Sequence, residues 1–142
     1  MVLVDNRIGS RDMLMSLQRA GVPAELATLE SADIAFVGRG IADIPLTIGI
    51  ELKRLRMNEN GRSDLIESLV KSDRFAGHQL IGLQSYDRAW LVTEDIWRTT
   101  ADGAVEAYQN GEWKYLKDGQ KVVMMRDIET RLQTIIIRGG MN

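Results

Sequence analysis

Asp33, Glu51 and Lys53 are the residues whose types and spacing suit acid–base and metal chemistry together. From Leu46 to Lys53 the chain alternates, with Leu46, Ile48, Ile50 and Leu52 set against Thr47, Gly49, Glu51 and Lys53. Such alternation predicts a strand, in which positions i and i+2 share one face about 6 to 7 Å apart, so Glu51 and Lys53 project together. If Asp33 opens the neighbouring strand of a hairpin, its carboxylate meets that of Glu51. Two carboxylates about 4 Å apart repel by roughly 4 kcal/mol at an effective dielectric of about 20, and a divalent cation reverses that sign. Asp and Glu are the only plentiful ligands here, so the cation expected is a hard one, Mg2+ or Mn2+. Lys53 adds a positive charge beside it. Phosphodiester hydrolysis needs this set: a cation, a clamp on the phosphate oxygens and a stabiliser for developing negative charge. Glu-x-Lys also ends many solvated edge strands, and spacing alone leaves that reading open.

The elements that must position these groups are legible as an alternation of strands and helices, which argues for an α/β layer fold. Val2 to Asp5 reads as the first strand. Ser10 reads as the N-cap of a helix to about Ala20, closed by Gly21 and Pro23. Short strands are expected near Ala24–Leu29 and Asp33–Val37. After Lys53 comes a polar segment with an Asn60-Gly61 turn, and Ser63 reads as the cap of a helix with the sequence DLIESLVKS. A further helix near Phe75–Gln84 leads into a strand at Ala89–Glu94. Gln109-Asn110-Gly111, between Val105–Tyr108 and Glu112–Leu116, is the strongest hairpin signal, and it predicts a β-hairpin insertion near 103–117. A last helix should cover about Arg126–Ile136. Trp90 and Trp97 are expected to anchor the core, and the methionines to fill it.

Composition narrows the classes further. A length of 142 residues with 44% hydrophobic content suits one domain with one core, spanning 1–142. A formal charge of −2 gives no global attraction for a polyanion, so any nucleic-acid binding must come from a local patch. The absence of cysteine excludes disulfides, thiolate zinc sites and cysteine nucleophiles. A single histidine, His78, excludes multi-histidine metal sites. No stretch approaches the roughly 20 apolar residues of a spanning helix, and MVLVDNRIGSRD reads as a strand rather than a signal peptide. An intracellular, cytoplasmic protein without membrane contact is expected.

VDNR, SADIAF, IGIELK, SDLIESL, DRFAGHQ and AWLVTE occur in this order. The series resembles the XPF-type nuclease domain of structure-specific endonucleases, a branch of the PD-(D/E)xK superfamily. Its pattern runs V-D-x-R-E, G-D, E-R-K-x-x-x-D-L with S-I/L, R-F-x-x-Q, and a strand ending in Glu. The matching positions here are Val4-Asp5-Asn6-Arg7, Asp33, Glu51 with Lys53, Asp64-Leu65 with Ser68-Leu69, Arg74-Phe75 with Gln79, and Glu94. The likeness covers about Val2 to Glu94. It implies a restriction-endonuclease-like PD-(D/E)xK fold, a central mixed sheet flanked by helices. It also implies an Mg2+- or Mn2+-dependent endonuclease acting on DNA, at branched or flapped structures. Asp33 and Glu51 would hold the metal with the Leu52 carbonyl, Lys53 would be the catalytic lysine, and Asp5 would join directly or through water. Asp64, Arg74 and Gln79 would support the site. The chain departs from the pattern at Ile8, Ala32 and Leu52, and in a longer segment between Lys53 and Asp64. By the same likeness, a homodimer or heterodimer is expected, nucleoid-associated if the source is prokaryotic or viral. A strand and helix that usually follow the last helix would be lacking.

Lys53, Arg54, Arg56 and Arg62, against Glu59, form the densest basic run in the sequence. Arg54, Arg56 and Arg62 are therefore candidate contacts to the DNA backbone. Two other readings stay open: a catalytically silent DNA-binding or dimerisation partner of the same fold, and a protein-interaction module using the hairpin and Trp113.

Overall fold

The computed structural model describes residues 1–7, 9–70 and 79–140. It is a mixed α/β protein whose central sheet joins β1 (Val2–Asp5), β2 (Ala24–Ala27), β3 (Ile34–Arg39), β4 (Pro45–Arg54) and β5 (Arg88–Glu94) in the order β2-β1-β3-β4-β5. β1 and β2 are parallel, as are β4 and β5, while β3 runs antiparallel to both β1 and β4. Helix α1 (Ser10–Arg19) makes the crossover between the parallel strands β1 and β2 and packs on both. Ser10 is the first helical residue, not the cap. Gly9 caps α1 with φ 91°, a left-handed conformation that glycine adopts without a Cβ penalty. β2 stops at Ala27, short of the expected Leu29, because the Leu29 N–H turns to the Asp5 carboxylate at 2.8 Å.

Beyond β4 the helix expected from DLIESLVKS forms a wide, π-helical turn at Ile66–Val70 that buries Ile66, Ser68 and Leu69. The expected helix at Phe75–Gln84 is represented by α2 (Leu80–Leu83). Its first part, with Arg74 and His78, lies outside the described residues, as does Ile8. The insertion after β5 is larger than the single hairpin near 103–117. Strands β6 (Trp97–Thr99), β7 (Val105–Gln109) and β8 (Glu112–Tyr115) form an antiparallel sheet, followed by the small hairpin β9 (Lys117–Asp118) and β10 (Lys121–Val122). The β7–β8 turn places Asn110 at φ 52° and Gly111 at φ 81°, the paired left-handed conformations of a two-residue hairpin loop. Helix α3 (Met125–Gly139) closes the chain and packs on the π-helical turn and on α2. Among the described residues no helix is long and apolar enough to cross a membrane.

The core gathers Leu55, Leu65, Ile66 and Leu69 with Leu80 and Leu83, and with Val105, Ala107, Leu116, Val123, Ile128 and Ile135 from the insertion and α3. β4 itself has one covered face. The covered face is the polar one: Gly49, Glu51 and Lys53 are buried, while Ile48, Ile50 and Leu52 are only half-buried. Cross-strand pairing puts Ile50 beside Trp90 and Leu52 beside Val92. Trp90 is 46% exposed and Val92 39%. Trp90 and Trp97 are thus not core anchors. The core is built from the aliphatic side chains that follow β4.

Candidate active site

β4 outruns its antiparallel neighbour. Ile34 pairs with Ile50, so the next position outward sets Asp33 opposite Glu51 on the same face. Cross-strand neighbours at such a position bring their side chains together. Past that point only β5 accompanies Lys53 and Arg54. Asp33 fills the vacated edge: its N–H donates to the Ile50 carbonyl at 2.9 Å, and its Oδ2 accepts the Leu52 N–H at 2.7 Å. In an extended strand a residue's N–H and C=O leave on the same edge, so the Leu52 carbonyl projects to the side Asp33 occupies.

Glu51 and Lys53 form an ion pair at 3.0 Å between Oε1 and Nζ, and they are 4% and 3% exposed. Burial pushes the Glu51 carboxyl above its usual range, and the nearby Asp33 charge pushes it further, outweighing Lys53 and Arg7. Gln79 donates from Nε2 to Glu51 Oε1 at 3.3 Å, and among the described residues its buried Oε1 accepts no hydrogen bond. Turning that amide around would set two acceptor oxygens against each other, so an orphaned oxygen beside Glu51 follows from the geometry.

Asp33, Glu51, Leu52, Lys53, Asp64, Gln79 and Arg7 line one recess of about 330 Å3. A second, of about 530 Å3, shares Arg7, Glu51 and Gln79 and continues past Ser31 and Gly82. Of the residues expected at the site, Asp33, Glu51, Lys53, Asp64 and Gln79 are therefore brought together. Asp5 stands behind them. It is buried, with Oδ1 accepting the Leu29 N–H at 2.8 Å and Oδ2 paired to Arg7 Nε. Arg74 lies outside the described residues.

Arg7, matched in the sequence within Val4-Asp5-Asn6-Arg7 but given no role there, is a further residue of the site. Burial lowers its affinity for the proton, but the bond to Asp5 and the charges of Asp5, Asp33 and Glu51 raise it overall. One guanidinium thus sits in the field of three carboxylates.

Among the described residues no group of three or more His, Cys, Asp or Glu side chains converges tightly enough to hold a metal by itself. The donors available to a cation are the carboxylates of Asp33 and Glu51, the Leu52 carbonyl and the orphaned Gln79 Oε1. This all-oxygen set with two carboxylates fits Mg2+ or Mn2+, which keep several waters of their own.

Arg54, Arg56 and Arg62 line an adjoining cleft. Arg54 is held to Asp95 at 3.1 Å and lies 3.7 Å from Glu94. Burial pushes the Asp95 carboxyl up, yet bonds from the Arg54 side chain and the Arg56 N–H hold it below its usual range. In comparisons with known proteins, no family model matches the chain and no curated protein matches it.

Proposed function

We propose that this protein is a divalent-metal-dependent endonuclease that hydrolyses DNA phosphodiester bonds, with the PD-(D/E)xK form of the α/β fold. One observation carries the reading. Asp33 and Glu51 stand opposite each other on one sheet face where β4 overhangs β3, and the Lys53 ammonium lies 3.0 Å from Glu51. The XPF-type resemblance adds the expectation of branched or flapped substrates.

Asp33 and Glu51, with the Leu52 carbonyl and Gln79 Oε1, would hold the cation. Bound there, Mg2+ would neutralise the two carboxylates, polarise a phosphate oxygen and acidify a coordinated water. The protein's own groups do the rest. Lys53 brings a fixed positive charge to the negative charge that builds on phosphate as water adds to phosphorus and the ester P–O bond breaks. Its buried stem and its bond to Glu51 fix the ammonium in place before substrate arrives. Gln79 orients Glu51, and Asp5 orients Arg7, whose guanidinium can meet a phosphate oxygen.

A second reading, a DNA-binding or dimerisation partner without turnover, is favoured by one observation: the Lys53 ammonium is already paired within the protein. One experiment separates the two. The protein is incubated with Mg2+ or Mn2+ and labelled linear, flapped and four-way DNA, with Glu51→Ala and Lys53→Ala in parallel. Metal-dependent cutting that both substitutions abolish is the expected result. Binding without cutting by the unaltered chain would transfer the assignment to the silent partner.

A further inference from the structure

The β7–β8 hairpin reaches back to the segment that follows β4 and encloses a cleft of about 800 Å3 with it. The closure is built, not incidental. Gln109, buried on β7, accepts the Met57 N–H through Oε1 at 2.8 Å and donates from Nε2 to the Met57 carbonyl at 3.2 Å. Opposite it, residues 57–63 form a tight loop: Met57 and Ser63 make an isolated β-bridge. Asn58 Oδ1 accepts the N–H groups of Asn60 and Arg62 at 2.9 and 3.0 Å.

Both walls of the cleft carry cations. Arg54, Arg56 and Arg62 come from the loop side and Lys114 from β8, beside the carboxylates of Glu59 and Asp64. Arg54 is held by Asp95, while the exposed pairs of Arg62 with Glu67 at 4.0 Å and of Lys114 with Glu112 at 3.4 Å are of the weak kind that a phosphate can displace. Arg56, Arg62 and Lys114 are exposed. In a chain of net charge −2 this is the local gathering of cations through which a polyanion can be held. Asp64 lines both this cleft and the recess of Asp33, Glu51 and Lys53, so the two adjoin.

A cleft of about 800 Å3 has room for a few linked nucleotides of a single strand. Among the described residues no aromatic side chain lines it. Trp113 and Tyr108 pair across the hairpin on the other face from Lys114 and Ala107, with Trp113 under Arg98. Recognition by phosphate contacts alone is insensitive to base sequence and strongly salt-dependent.

We propose that this cleft is the track of a single-stranded nucleic-acid arm leading away from the cleavage centre, and that Lys114 of the insertion is one of its phosphate contacts. The inference rests on the nuclease reading for its direction but not for its test. Binding of a short fluorescein-labelled oligothymidylate, and of the duplex it forms with oligoadenylate, is measured by anisotropy in EDTA across a salt series. The full chain is compared with Lys114→Ala and with Lys117→Ala, which removes the same charge from an exposed site outside the cleft. Lys114→Ala should weaken single-strand binding by about three- to tenfold and flatten the salt slope by about 0.7, the contribution of one single-strand phosphate contact. Lys117→Ala should leave both unchanged.

Equal effects of the two substitutions, tighter binding of the duplex, or equally tight binding of polyglutamate (the sign of an acidic protein partner) would overturn the proposal. If the expected binding is found but the unaltered chain cuts no DNA with Mg2+, the cleft stands and the nuclease reading falls. If it cuts DNA but ignores Lys114→Ala, the cleft falls alone.

Discussion

Asp33 is bound through its own side chain to the strand that carries Glu51 and Lys53: its Oδ2 accepts the Leu52 backbone N–H at 2.7 Å. The contact closes the edge where β3 ends, and it leaves the second carboxylate oxygen for a cation. Structure and chemistry can therefore be separated by two substitutions. Asp33→Asn keeps an acceptor oxygen for Leu52 and removes the charge. It should melt within a few degrees of the unaltered protein, yet lose Mg2+ affinity and cutting by about 100-fold or more. Asp33→Ala also strands the Leu52 N–H, at a further cost of about 1–3 kcal/mol in stability. Calorimetric melting beside a metal titration checks both. Full activity in Asp33→Asn would remove Asp33 from the site.

Asp5 has a different position from Asp33, with both oxygens engaged inside the protein. Its loss should act first on stability. Asp5→Ala leaves the Leu29 N–H and the Arg7 guanidinium without their acceptor, which costs about 2–4 kcal/mol for a buried, charge-assisted pair of bonds. Urea unfolding should show this as a lower midpoint with an unchanged slope. Arg7→Ala, removing the half-exposed partner, should cost less in stability and affect cutting more, because Arg7 lines the recess with Asp33 and Glu51.

Legibility tracked the range of the interactions. The alternation in β4 identified its two faces, and a hairpin between Asp33 and Glu51 followed from local pattern. Which face is buried did not, because alternation is symmetric. Part of the cover over Glu51 is Gln79, which reaches it from 28 residues further along the chain. The same limit explains Trp90, whose size suggested a core anchor but whose side of β5 pairs with half-exposed Ile50. Gln109 and Met57 are 52 residues apart, and no local rule joins them. Ser10 misled for a narrower reason: a Ser before a helix usually caps it, but Gly9 already supplies the required turn.

Gly49 stands two residues before Glu51 on the buried face, directly against Tyr86. A Cβ built there would lie 2.5 Å from the ring's Cδ2 and 2.8 Å from its Cε2. The contact is with the inner atoms of a half-buried ring and not with the end of a flexible side chain, so Gly49→Ala should cost about 1–3 kcal/mol, as overpacking does. Because β4 carries Glu51 and Lys53, relief by strand displacement should also lower cutting. Combining Gly49→Ala with Tyr86→Leu should restore a good part of the lost stability. An additive double mutant would show that the two sites do not touch in solution.

Glu51 gives the protein a pH dependence of definite sign. Burial raises its affinity for the proton and the Asp33 charge raises it further, while Lys53 and Arg7 pull the other way without prevailing. In metal-free buffer the folded chain therefore binds more protons than the unfolded one between the ordinary glutamate range and the raised value. Stability must then fall as pH rises through that window and level off above it. Glu51→Gln copies the protonated form at every pH. It should raise the melting temperature by a few degrees at neutral pH in EDTA, with the gain shrinking to nothing as the pH is lowered below the ordinary glutamate range. The variant should also lose the stabilisation that Mg2+ gives the unaltered protein, since a cation bound at Glu51 must displace the proton. Parallel melting curves for the two chains across pH, with and without Mg2+, measure each of these. If the difference between the chains stayed constant with pH, Glu51 would hold its proton equally well in the folded and unfolded chains, and burial would not be what governs its charge.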